Sequence, residues 1–196
     1  MESLAYKPEE YPNGYRDERP TELLDGKIVA MSNPFTNHVH VARNLTLIFG
    51  NYLRSKSCKV FPDLNLHLTK SDRLRPDLMV VCKPDIIRNN GVHGAPELIV
   101  EILSKGTAHR DKGYKKDLYE KCGIKEYWIV DTQYQSIEIH TLISKKYQLI
   151  AAHTYYNPDE IEEMDDKEKT SLVHEFKTPL FEDLVIRLED IFQDVQ

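Results

Sequence analysis

The chain has 196 residues and a formal net charge of −6, enough for one domain with its own core and the wrong balance for coating nucleic acid non-specifically. No run of about 18 apolar residues occurs, which excludes a membrane-spanning helix. Cys58, Cys82 and Cys122 are odd in number, far apart and free of any C-x-x-C pair. That usage fits a reduced compartment with each cysteine packed as a small hydrophobe, and it argues against structural zinc. The polar start lacks an apolar signal core, so a cytoplasmic location is expected.

In chain order, residues 1–20 hold three prolines and little apolar pattern and are expected to form an extended arm, leaving 21–196 as a single domain. "TELLDGKIVAM" sets Asp25-Gly26 between two short runs, a hairpin signal. Residues 38–54 place Val41, Leu45, Ile48 and Tyr52 at helical spacing. "CKVFPDLNLHLT" alternates as a strand in which Pro62 marks a bulge or edge, and "RPDLMVVC" is a second strand. Residues 83–96 read as a long turn. "PELIVEILS" is then a strand buried on both faces, expected to pair antiparallel with the one before it.

The pattern turns helical from Asp111, a candidate N-cap, to Cys122, with Gly123 closing the helix. "EYWIVD" is the strand reached by this crossover. "SIEIHTLI", "YQLIAAHTYY" and "SLVHEF" are expected strands and "LEDIFQDV" a short terminal helix. The acidic Asn157–Thr170 segment reads as a solvated loop. The sum is an α/β domain with a mixed, mainly antiparallel sheet.

Glu101 interrupts the apolar run of its strand. A carboxylate there loses several kcal/mol of solvation unless it is paired or bound to a cation. Asp77 heads the preceding strand, and paired strands lie about 5 Å apart, so the two carboxylates reach a common point. Their repulsion raises at least one pKa unless a cation intervenes. A hard ion such as Mg²⁺ takes one or two carboxylates and keeps water and substrate phosphate in its other positions. Two readings stand on these residues alone: a metal site that activates water against a phosphodiester, or an acid paired with a buried cation for structure.

On a helical wheel Tyr114, Leu118, Tyr119 and Cys122 define the apolar arc, and Lys115 falls near its middle. An inward lysine just after the Glu101 strand is suited to pair with that acid and to stabilise developing charge on phosphorus. The segment Lys105–Lys116 is otherwise rich in Lys and Arg, with Asp111 its one acid.

"RPDLMVV" followed by "PELIVEILSKGTAHRDKGYKKDLYEKCGIKEYWIVD" resembles the Uma-type family of restriction-endonuclease-like proteins, part of the PD-(D/E)XK nuclease superfamily. "ELLDGKIVAM", "NHVHVARNL" and "TPLFEDLVIRLEDIF" resemble its hairpin, first helix and C-terminal end. The resemblance implies a restriction endonuclease-like mixed β-sheet core flanked by helices, with an extra N-terminal hairpin and C-terminal strands. It implies a Mg²⁺- or Mn²⁺-dependent endonuclease acting on DNA, with Asp77 and Glu101 as metal ligands. Leu103 stands where the motif lysine is expected, and Lys115 on the following helix takes that place.

Glu22 matches an acidic position of the family and is a further site candidate. Lys105, Arg110, Lys112 and Lys116 are candidate DNA-phosphate contacts, which would position DNA without reading its sequence. His38 is equally a packing or a functional residue, and His93 and His109 lie in expected loops. Tyr119 and Trp128 read as core. A homodimer is expected from the habit of such nucleases to cut both strands. The alternative function is a non-catalytic nucleic-acid- or protein-binding module on the same fold.

Overall fold

The computed structural model describes residues 19–196; the first part of the expected arm lies outside them. Strands β1 (Thr21–Leu24) and β2 (Lys27–Ala30) form the expected hairpin, with Asp25 and Gly26 both at positive φ (50° and 73°). This is the backbone that a two-residue turn between right-twisted strands requires. Helix α1 (Thr36–Tyr52) buries Val41, Leu45 and Phe49, a stripe set by their spacing of four.

Strands β3 (Lys59–Pro62), β4 (Leu66–His67), β5 (Arg73–Leu74) and β6 (Leu78–Val81) follow. The region expected as one long turn instead contains β7 (Ile87–Arg88) and β8 (Gly91–His93), a small hairpin. Then come β9 (Leu98–Ile102), β10 (Glu126–Asp131), β11 (Ser136–Ile143) and β12 (Lys146–Thr154). The strands build two six-stranded sheets rather than one. The central sheet runs β12-β11-β10-β9-β6-β3, and the second runs β2-β1-β5-β4-β8-β7. Pro62 ends β3, an edge strand, where its missing N–H breaks no ladder.

Two pairings position the site. Strands β6 and β9 are antiparallel with Leu78 opposite Val100, so the register extended by one residue sets Asp77 across from Glu101. Strands β9 and β10 are parallel, joined by the helical crossover. Because side chains alternate faces, Leu78, Val80, Leu98 and Val100 pack with α1 and Trp128, while Met79, Val81 and Ile99 pack with Tyr119 and Tyr127. Glu101 shares the face of Ile99, the side the crossover helix covers.

Three expectations need correction. The acidic Asn157–Thr170 segment carries two short helices, α4 (Pro158–Glu163) and α5 (Asp166–Ser171). Each opens on a reciprocal capping box, Asn157 with Glu160 and Asp165 with Glu168, which satisfies orphan N–H groups without any apolar face. The strand expected from "SLVHEF" begins only at Glu175, as β13 (Glu175–Thr178), which pairs with β14 (Phe181–Arg187). Cys58 and Cys82 are joined by a disulfide. The β3–β6 register, Lys59 opposite Val81, leaves these two cysteines facing each other one step beyond the ladder. Cys122 is free. No helix among the described residues is long and apolar enough to cross a membrane.

Candidate active site

After β9 the chain turns through Ser104–Thr107 into helix α2 (Ala108–Arg110). A π-helical turn (Asp111–Lys115) follows, then α3 (Lys116–Cys122), which ends at Gly123 in the left-handed region (φ 79°). Asp111 is therefore interior to the helical run and not its cap. The i→i+5 bonding adds a residue to the turn, so a wheel drawn at the α-helical angle slips along this stretch. Tyr114 is exposed, its hydroxyl donating to Asp72 Oδ1 (2.6 Å), while Asp111, Lys115, Leu118 and Tyr119 face the sheet.

Lys115 is 4 % exposed and sits among carboxylates: Nζ is 3.0 Å from Glu22 Oε1, 3.1 Å from Glu101 Oε1 and 3.4 Å from Asp111 Oδ1. Glu101 Oε1 also accepts from the Tyr119 hydroxyl (2.7 Å), and Glu22 Oε1 from the Arg75 N–H (3.0 Å). Asp77 is held at both oxygens, Oδ2 by the Ile102 N–H (2.7 Å) and Oδ1 by His38 Nε2 (3.1 Å). Glu22, Asp77, Glu101, Asp111 and Lys115 all line one cleft of about 330 Å³.

The electrostatics follow from burial. Glu101 is 3 % exposed, and its pKa is raised well above the carboxylate range by desolvation, which the charge of Lys115 opposes and the neighbouring acids reinforce. Burial likewise raises Asp111 against Lys115. For Lys115 burial opposes the charge, but Glu101, Glu22 and Asp111 outweigh it and hold the ammonium above its usual pKa. Burial also opposes charge on His38, and the hydrogen bond and charge of Asp77 reverse that, raising its pKa.

The expected site residues separate clearly. Asp77, Glu101, Lys115 and Glu22 meet in the cleft, and Arg110 also lines it, with a buried Nε that has no hydrogen-bond partner among the described residues. Lys112 instead pairs with Glu138 (3.1 Å) on β11, burial and then the charge of Lys116 lower the pKa of His140 on the same strand, and Lys105 is exposed; none of the three lysines lines the cleft. His93 stacks on His67 within the second sheet, and His109 is exposed.

Three members of the cluster were missed or undervalued. Asp111 read as a cap, Tyr119 as core alone, and His38 as an even choice. The spacing of Asp111 and Lys115, four apart, was the available signal for the first.

The donor chemistry of the cleft is that of a hard cation. Asp77 and Glu101 offer oxygens from facing strands, and the surrounding acids outnumber Lys115. The three carboxylates around Lys115 enclose its ammonium, and no group of three or more His, Cys, Asp or Glu side chains among the described residues is arranged to hold a metal ion. A two-carboxylate site completed by water and substrate fits that arrangement; an all-protein cage does not.

Comparison with known proteins agrees with this architecture. A crystal structure of a "putative nuclease belonging to DUF820" from Anabaena variabilis superposes with a TM-score of 0.67, covering 92 % of this chain and 93 % of that one at 17 % identity. The fold is accordingly restriction endonuclease-like. An uncharacterised protein of Synechocystis, slr1290, is 29 % identical over 137 residues, which is 68 % of this chain and 72 % of that protein. Residues 8–165 match the model of the Uma2 family, described as "Putative restriction endonuclease". The chain belongs to the Uma2 family.

Proposed function

We propose that the cleft is the active site of a metal-dependent endonuclease of the PD-(D/E)XK type, hydrolysing DNA phosphodiester bonds within a domain spanning residues 21–196. The observation that carries this reading is the convergence of Asp77, Glu101 and Lys115 from two facing strands and the next helix, despite Leu103 at the usual lysine position. Asp77 and Glu101 would hold Mg²⁺ or Mn²⁺. When bound, such an ion activates water and polarises the phosphoryl group.

The chain's own residues have distinct tasks. The Ile102 N–H and His38 fix the plane of the Asp77 carboxylate. Lys115 and Tyr119 hold Glu101 through the single oxygen Oε1, which leaves Oε2 without a bond to either. Lys115 keeps positive charge beside the position where negative charge builds on phosphorus. Arg110, whose Nε has no partner among the described residues, supplies a donor to a phosphate oxygen.

The test is a metal-ion panel. Mg²⁺ or Mn²⁺ is expected to raise the melting temperature of the wild type and to support cleavage of at least one DNA among supercoiled, linear, single-stranded and branched forms. Asp77→Asn is expected to lose both effects. Absence of both in the wild type defeats the proposal. It then favours the second reading, a non-catalytic binding module, which the saturation of Lys115 by three carboxylates supports.

A further inference from the structure

The cleft is not uniformly polar. Beside the acids and Lys115 its lining includes Met31, Pro34, Val39, Ala42 and Pro62. His38, Val39 and Ala42 share one face of α1 by their spacing, and Phe35 stands at the head of that face at the helix N-terminus. Phe35 is 72 % exposed and Val39 51 %. Phe35 does not itself line the cleft; it adjoins the lining residue Pro34 in the chain and shares a helix face with the lining residues His38, Val39 and Ala42, leaving an aromatic surface to solvent beside them.

Phosphate chemistry at the acids does not use an apolar lining, and a duplex offers protein its base edges in the grooves but keeps the flat faces of its bases stacked on one another. An unstacked base has two free faces, which aromatic and aliphatic side chains cover in a sequence-tolerant way. The volume, about 330 Å³, suits a single extruded nucleotide and falls far short of a duplex segment.

We infer that the cleft accepts single-stranded DNA, holding an unstacked nucleobase against Phe35 and Val39 while its phosphate lies at Asp77 and Glu101. This rests on the proposed nuclease reading and narrows its substrate class. Shape and surface chemistry carry it: the apolar lining is continuous with the acid cluster, and the helix face that supplies His38 to Asp77 also supplies Val39 to the cleft. The cleft's own charge is acidic, so strand binding is expected to need the divalent ion as well as the stacking face.

The experiment is fluorescence anisotropy of labelled oligothymidylate, oligouridylate and a blunt duplex, with Ca²⁺ replacing Mg²⁺ so that the strand is retained. The wild type is expected to prefer the single strand. Phe35→Ala is expected to weaken that binding by about ten-fold, in line with loss of one base-stacking contact, and Phe35→Trp to restore it. Because Phe35 is exposed, neither variant disturbs the fold, which circular dichroism checks.

Equal single-strand affinity for wild type and Phe35→Ala, or tighter wild-type binding of the blunt duplex, overturns this inference and leaves the nuclease reading standing. Preference for oligouridylate over oligothymidylate also overturns it, as to DNA. Failure of the wild type to bind any of these probes in the presence of the ion overturns this inference, and the metal-ion panel then decides the nuclease reading separately.

Discussion

At the scale of residues, Lys115 is the ion that permits three buried carboxylates to coexist. Removing it leaves Glu22, Glu101 and Asp111 facing one another without a counter-charge. Breaking a buried pair this way costs about 3–5 kcal/mol. Lys115→Met is therefore expected to lower the denaturant midpoint by that equivalent, and Glu101→Gln by less, since it removes charge from an acid-rich cluster. The pH dependence has a definite sign. Glu101 and Asp111 have raised pKa values in the fold, burial being the first cause, against ordinary values of 4.5 and 3.8. Between the ordinary and the raised values the native chain binds protons that the unfolded chain does not, so stability rises as pH falls through that window. Without Lys115 the native values climb further, so in Lys115→Met the window in which stability rises as pH falls is expected to extend to higher pH than in the wild type. Equilibrium denaturation at a series of pH values measures both.

At the scale of elements, the crossover is where local reading and structure part. A hydrophobic wheel found that Lys115 faces the sheet, and it does, yet the same wheel turned Tyr114 inward, where the π-helical turn swings it out to Asp72. Helical period is a local property; the added residue in one turn is decided by what the turn packs against. The second sheet shows a different dependence. Gly91 in β8 has φ 136°, and a Cβ placed there would lie 2.3 Å from the Asn65 carbonyl oxygen. That close approach accompanies the Val92 N–H bond to Asn65 O (2.9 Å), beside the β4–β8 pairing. Both the backbone angle and the contact exclude a side chain, so Gly91→Ala is expected to lower stability by about 2 kcal/mol or more. A melting temperature equal to wild type would show that the strands re-register at no cost.

For the whole molecule, the disulfide closes a separation of 24 residues that contains β3, β4, β5 and β6. Chain-entropy arguments assign such a closure about 3 kcal/mol. Reduction is expected to lower the denaturant midpoint accordingly, and Cys58→Ser with Cys82→Ser to match the reduced wild type. Coincident curves before and after reduction would remove the cross-link from the stability of the fold. The same closure ties the edge strand β3 to β6, at the end of β6 opposite Asp77.

Sequence alone determined the hairpin at Asp25-Gly26, the helix that follows, the antiparallel β6–β9 relation, the helical crossover from β9 to β10, and the awkward burial of Glu101. These rest on turn chemistry, periodicity and connection length, all of which act over a few residues. Only the tertiary structure decided that Glu22 swings under Lys115, that His38 holds Asp77, that Tyr119 donates to Glu101, and that the strands divide into two sheets. It also decided that Cys58 meets Cys82. Each of those joins residues from separate elements, and their meeting depends on sheet register and helix packing. No spacing along the chain encodes that geometry.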